Sequence, residues 1–292
     1  MGIGYSKIKK SWEKNVFDLD EQKISAVVSS FQVPVKPRIL SEIDELMTGE
    51  EPNIDEIAVL ISSDVGLSAT ILKIINSPLY GMNRRISEIK QAVMMLGLKT
   101  VNSLVTATLL KQAYVGKASI SLERFWDDAN DVANAMTFIG SKVKSKVPVE
   151  VLYTIGLFHD CGIPLLALKF QNYKEVLIEA NTSHENFVDI EERHYQTNHT
   201  VLGYYVASSW NLPKEICQLI LQHHDNSYLS SHAEEGYKIA FAAFKAAENM
   251  VERAKRFDYA PQWQEDEKQL LNILGITSAD YADLEDDFAE FF

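Results

Sequence analysis

Apolar positions recur along this chain at helical spacing, and no segment alternates between apolar and polar over more than a few residues. Residues 38–47 place Ile39, Leu40, Ile43, Leu46 and Met47 on one stripe, after an extended entry, Phe31-Gln-Val-Pro34-Val-Lys-Pro37, whose prolines disfavour helix before them. Gly49 and Pro52 end that helix. Asn53 is placed to cap a helix over 54–61, and Asp64 to cap one running through Leu67, Ile71, Leu72 and Ile75. A turn cluster, Asn76-Ser77-Pro78-Leu79-Tyr80-Gly81, follows. Ser87 is placed to cap 88–96, with Gly97 as the stop before a further helix over 99–114.

Ser121 opens a long helix to about Lys146, whose apolar face carries Phe125, Trp126, Ala129, Val132, Ala133 and Met136. Beyond Pro148, residues 151–158 are apolar on every side, which predicts a helix enclosed by others. It ends in His159-Asp160 before Gly162 and Pro164. Later helices are expected over 173–180, as one unit over 189–210, from Pro213 through His223, and over 237–253. Acidic helices over 264–275 and 278–292 close the chain. The pattern predicts an all-α protein. The seam near Gly116 separates short helices from longer ones that carry the histidines. The expected division is an extension (1–30), an N-terminal helical part (31–115), a larger core (116–255) and acidic C-terminal helices (256–292).

Composition narrows the function classes. The 292 residues are 46% hydrophobic and 24% charged, as expected of a globular protein with a sizeable core. No apolar run reads as a membrane helix, and the polar N-terminus predicts no secretory leader. Two cysteines, Cys161 and Cys217, give no disulfide framework and point to a reducing cytoplasm. The net charge of −13 disfavours phosphate backbones and anionic membranes as partners. Against that balance, two weak patterns stand: Met1-Gly2 through Ser6 fits a loose myristoylation pattern, and Arg84, Arg85, Lys90 and Lys99 flank a helix-turn-helix outline.

The polar side chains of interest are Asp128, His159, Asp160, His199, His223, His224 and Asp225, which come from four predicted helices. Imidazole and carboxylate suit a divalent transition metal, and a bundle core can collect such ligands from facing helices. The adjacent His223 and His224 are expected to diverge by about 100° on a helix, so only one would face a given site. His184, His194 and His232 read as packing residues.

Several motifs together resemble the HDOD family, the HD-related output domain of bacteria, over roughly residues 31–250. They are Pro34-x-x-Pro37, Ser63-Asp64-Val-Gly-Leu67, Asn76-Ser77-x-x-Tyr80-Gly81, Ala92 to Gly97, Phe125-Trp126, His159-Asp160-Cys-Gly162, His199-x-x-x-Gly203, and Trp210 to Pro213 leading to His223-His224. The resemblance implies a multi-helix HD-like fold with a smaller N-terminal helical subdomain packed on the core. It also implies a non-catalytic signalling role through protein or ligand contact, in a relative of the HD and HD-GYP metal phosphohydrolases. The family pattern puts the first ligand of HD enzymes at Asp128, where histidine is missing. It puts the late aspartate within residues 241–248, where only Glu248 is acidic and Lys245 stands nearby. His199, His223 and His224 match the second-metal histidines. These matches imply signalling proteins as partners and no required cofactor, with a partial site for Mn, Fe, Zn or Mg. The alternative is a metal-dependent phosphohydrolase or phosphodiesterase with an altered ligand set.

Overall fold

The computed structural model describes residues 30–48, 52–76, 84–143, 146–183, 185–226 and 234–290. These form helices and no strand. The myristoylation pattern, Gly49, residues 77–81, His184 and His232 lie outside the described residues.

The N-terminal part contains α1 (Arg38–Met47), α2 (Ile54–Ser62), α3 (Val65–Ile75), α4 (Ile89–Leu96) and α5 (Leu98–Ala113). Asn53 and Asp64 cap as predicted, accepting from the backbone N–H groups of Asp55 and Glu56 and of Leu67. Ser87 does not: α4 starts one residue later, and its N-cap, Glu88, makes no side-chain cap. Asn76 stands in for a strand partner. Its amide accepts from the Ile86 N–H at 2.8 Å and donates to the Ile86 carbonyl at 2.8 Å, fixing the distance between α3 and α4. Lys90, from the proposed basic outline, is engaged by Asp55.

The larger part contains α6 (Leu122–Lys142), α7 (Val149–Phe158), α8 (Ile163–Lys169), α9 (Tyr173–Thr182), α10 (Phe187–Tyr195), α11 (His199–Ser209), α12 (Lys214–Gln222) and α13 (Glu235–Arg256). As its all-round apolar sequence predicts, α7 is the innermost helix, packed by α5, α6, α12 and α13, with every residue from Leu152 to Phe158 buried. Each large apolar side chain enclosed there contributes about 1.5–3 kcal/mol. Gly156 sets the approach of α6, because a Cβ at that position would lie 2.6 Å from the Ala133 Cα. The combined stretch Val149–Lys169 is 21 residues long and apolar enough to match a membrane span, contrary to the sequence expectation. In the fold 83% of that window is buried by protein, as for a core helix.

One predicted helix is two. Residues 189–210 break between α10 and α11, where Gln196 takes a left-handed conformation (φ 57°) and Asn198 caps α11 through the Val201 N–H at 3.0 Å. The N-terminal segment is strapped to the far end of α11: the Trp210 indole N–H donates to the Pro34 carbonyl at 2.8 Å, and Lys36 donates to the Trp210 carbonyl at 3.1 Å. The acidic tail folds as α14 (Trp263–Leu274) and α15 (Ser278–Ala289) against α13. Asn249, fully enclosed in α13, donates to the Tyr281 hydroxyl and to Glu285 at 3.1 Å each, and accepts from the Ala260 N–H at 3.1 Å.

Candidate metal centre

Three chain corners meet at one point. The first is the α7–α8 turn, which carries His159 and Asp160. The second is the first residue of α11, His199. The third is the end of α12, where His223 is the C-cap and His224 lies beyond the helix. Leaving the helix at His223 frees the next residue from the 100° rule, so both adjacent rings reach the same place. The sequence expectation that they diverge is corrected on that point.

Asp160, His199, His223 and His224 each offer a ligand atom, all within 4.8 Å of one another. Asp160 Oδ1 lies 3.3 Å from His199 Nε2 and 3.3 Å from His223 Nε2. The two Nε2 atoms are 3.4 Å apart, and His224 Nε2 is 3.0 Å from that of His199. The tautomers follow from the outer partners. His223 Nδ1 faces the Ile220 carbonyl at 2.7 Å, and His199 Nδ1 faces Glu191 Oε2 at 2.6 Å. Carbonyls and carboxylates only accept, so both Nδ1 atoms carry the proton and both Nε2 lone pairs point inward.

Asp160 Oδ1 is buried and has no hydrogen-bond partner among the described residues. Lone pairs on oxygen and nitrogen at 3.3 Å repel unless a cation lies between them. The three separations among Asp160 Oδ1, His199 Nε2 and His223 Nε2 match the ligand–ligand edges of a four-coordinate centre with bonds of about 2.0–2.2 Å, which are roughly 3.3–3.6 Å, and the His199–His224 separation of 3.0 Å is shorter. Three imidazoles and one carboxylate are a donor set for a divalent transition metal. The residues present therefore fit a divalent transition-metal ion of the kind that the sequence resemblance leads one to expect.

His159 is a neighbour of this group and not a member of it. Its Nδ1 donates to the Gly156 carbonyl at 2.6 Å, and its Nε2 lies 3.2 Å from the other oxygen of Asp160. Burial pushes the His159 pKa down, but the Asp160 charge outweighs it and leaves the value raised. Burial likewise pushes Asp160 up, and His159 with the facing histidines holds it well below the usual carboxylate range. Burial lowers His223, and lowers His224 strongly with help from its histidine neighbours. His199 goes the other way: burial is outweighed by Glu191, and its pKa is raised. Phe187 covers His199 and His224, and Phe244 covers His159 and His223, so the walls of the site are apolar.

Two glycines permit the convergence. A Cβ on Gly162 would lie 2.0 Å from the His199 carbonyl oxygen and 2.8 Å from the Gly203 nitrogen; one on Gly203 would meet the Ile220 side chain at 3.0 Å. The His-Asp-x-Gly and His-x-x-x-Gly spacings in the sequence are therefore the two sides of one backbone contact.

Asp128 does not join the site. Its carboxylate accepts from Lys255 at 2.6 Å and faces Arg256 at 4.0 Å. That face of α6 meets the basic C-terminal turn of α13, so the charge is spent there. Glu248 pairs with Lys245 at 2.8 Å. His194 lies at the surface beside Glu179, and Asp225 is not among the four donors. Glu191 was missed by sequence reading. It is wholly buried, and its oxygens accept from the His199 N–H at 2.8 Å, the His199 ring at 2.6 Å and the Tyr173 hydroxyl at 2.5 Å.

A sequence profile of the HDOD domain matches residues 33–226. An uncharacterized protein of Treponema pallidum (strain Nichols) is 26% identical over 223 residues, which is 72% of this chain and 41% of that protein. The chain thus spans less than half the length of that curated relative. Among solved structures, an HDOD domain protein of unknown function from Geobacter sulfurreducens superposes with a TM-score of 0.69 at 23% identity, covering 94% of this chain and 99% of that one. A protein described as a candidate metal-dependent phosphohydrolase from Shewanella amazonensis SB2B gives 0.64 at 18%, covering 94% and 99%. One described as a candidate signal transduction protein from Marinobacter aquaeolei VT8 gives 0.67 at 18%, covering 98% and 62%. At these identities the structural likeness is one of fold.

Proposed function

The chain belongs to the HDOD domain family, and from that premise we propose that it is a bacterial signalling module that holds one divalent metal and acts by contact with other signalling proteins, without hydrolysis. The observation that carries this is the closed donor set of Asp160, His199, His223 and His224, with Asp128 turned away to Lys255. A structural metal site fills its positions with protein ligands, whereas a catalytic one keeps a position open. Hydrolysis on the two-ion plan also needs ligands for a second ion. Here the histidines that match the second metal already belong to the donor set, and the positions left to hold the other ion, Asp128 and Glu248, are both committed to lysines. When bound, the ion would neutralise the converging lone pairs and hold the three corners together. Asp160, His199, His223 and His224 would ligate, and His159 would orient Asp160 from its other oxygen.

The phosphohydrolase reading keeps one supporting observation: the Asp160 side chain is 24% exposed, so one side of the cluster opens toward solvent. One experiment separates the two. The purified chain is analysed for bound metal and assayed against phosphodiesters and nucleotides with added Mn²⁺. The signalling reading expects one equivalent of metal and no turnover. Metal-dependent turnover that disappears in Asp160→Ala would overturn it in favour of the enzyme. Absence of metal binding would remove the metal from the proposal.

A further inference from the structure

We infer that Glu191 is the positioning residue and counter-charge that tunes the four-donor cluster to a doubly charged ion; this rests on the metal reading above. Glu191 belongs to α10, outside the donor set, and is wholly buried. A buried carboxylate is costly unless its charge is compensated. Among the described residues the one ionisable base that Glu191 pairs with is the His199 ring, which is neutral when its Nε2 is bare, so the carboxylate charge is left for an ion beyond that ring to balance. No ion pair joins it to a lysine or arginine among the described residues. Its other contacts, the Tyr173 hydroxyl and the His199 backbone N–H, are neutral donors that fix its orientation without cancelling its charge.

That arrangement has a direct consequence at His199. The Nδ1 proton is pinned on Glu191 at 2.6 Å, so the bare Nε2 is held toward Asp160 and His223. A carboxylate behind a histidine ligand fixes its tautomer and makes its inner nitrogen more basic. Charge gives the second half of the argument. Among the four donors only Asp160 is acidic, so it sets one negative charge against a doubly charged ion. Glu191 supplies the second through His199. At the margin, Lys245 and Glu248 pair with each other and leave the sum unchanged.

Substitution separates the two contributions. In Glu191→Gln the amide oxygen can still accept from the His199 ring and backbone, and the amide nitrogen can donate to the Tyr173 oxygen, so the geometry is kept and only the charge goes. Glu191→Leu removes both. The test is Zn²⁺ binding to the full chain, measured by competition with a chromophoric chelator. The Co²⁺ ligand-field spectrum and the ¹⁵N shifts of the His199 ring in metal-free protein are recorded alongside. Glu191→Gln should bind the same one equivalent with affinity lowered about 10–100-fold and keep the Nδ1–H tautomer. Glu191→Leu should bind more weakly still, lose the tautomer preference and shift the Co²⁺ spectrum. Zn²⁺ affinity equal to wild type in Glu191→Gln overturns the inference, even if the variant melts earlier, since a purely structural role predicts that outcome. If Glu191→Leu fails to fold, Glu191→Gln alone decides. Failure of the wild-type chain to bind Zn²⁺ would instead sink the metal reading, and this inference with it.

Discussion

Gly162→Ala tests whether the backbone contact between the α7–α8 corner and α11 is what assembles the site. Gly162 has ordinary right-handed dihedrals (φ −79°, ψ −25°), so alanine meets no conformational penalty there. The obstacle is space. The new methyl would lie 2.0 Å from the His199 carbonyl oxygen, and an ordinary contact begins at 3.4 Å. The two corners must therefore part by about 1.4 Å, and neither atom in the way is a flexible side chain. Overpacking of this kind costs about 1–3 kcal/mol. For a chain of this order that is a fall in Tm of roughly 2–12 °C, at about 2–4 °C per kcal/mol. The same displacement widens the 3.3 Å gap between Asp160 Oδ1 and His199 Nε2, so Zn²⁺ affinity should drop together with Tm. Gly236→Ala is the control: it lies in a helix with nothing within 4 Å of the added Cβ, and should be neutral or slightly stabilising. Thermal melts and Zn²⁺ titrations of the three proteins suffice. A Gly162→Ala protein with wild-type Tm and affinity would refute the steric reasoning outright.

Asp160→Asn should abolish stoichiometric Zn²⁺ binding, whereas Asp128→Asn should leave it intact, because Asp128 is engaged by Lys255; loss of metal in the second variant would restore Asp128 to the site. Metal affinity should fall with acidity. The raised pKa of His199 makes it the first of the three ligating histidines to take a proton, so apparent Zn²⁺ affinity should start to decline above the ordinary histidine value of 6.5. The decline is about tenfold per pH unit for each proton displaced; a titration flat from pH 8 to 6 would contradict this. Asn198→Ala removes the cap of α11, whose Oδ1 accepts from Val201 and Thr200. It should cost about 0.5–2 kcal/mol and weaken Zn²⁺ binding, since His199 is the first residue of that helix; urea melts and the chelator competition measure the two effects.

Much of this architecture was legible because it is local. The stripe in α1, the Asn53 and Asp64 caps, and the all-round apolar α7 follow from spacing, and each holds. The family motifs led to Asp160, His199, His223 and His224, which the fold brings together. What failed was non-local or depended on a helix end. Asp128 could not be excluded without knowing that Lys255 and Arg256, about 127 positions away, face it. His223 and His224 were separated by a helical rule that applies only inside a helix, and α12 ends at Gln222. Ser87 looked like a cap but lies one residue before the N-cap of α4.

Glu191 is the most instructive miss. In the continuous helix predicted over 189–210, Glu191 and His199 would be eight residues apart, a rise of about 12 Å, and could not touch. The left-handed Gln196 and the Asn198 cap end α10 and begin α11, folding Glu191 back to within 2.6 Å of His199. Nothing in apolar periodicity marks that break; Asn198, a residue type that favours helix N-caps, is the one local signal from which it could have been found. The break also fixes how His199 is presented to the site. His199 is fixed at a capped helix start, His223 at a helix end and Asp160 at a glycine-tight corner, so each donor comes from a terminus whose backbone is already hydrogen-bonded. An ion bound to such termini stabilises the fold by about 2.7 kcal/mol at a hundredfold excess over its Kd. Under the proposed metal reading, that linkage would act on the α7–α8, α11 and α12 corners together.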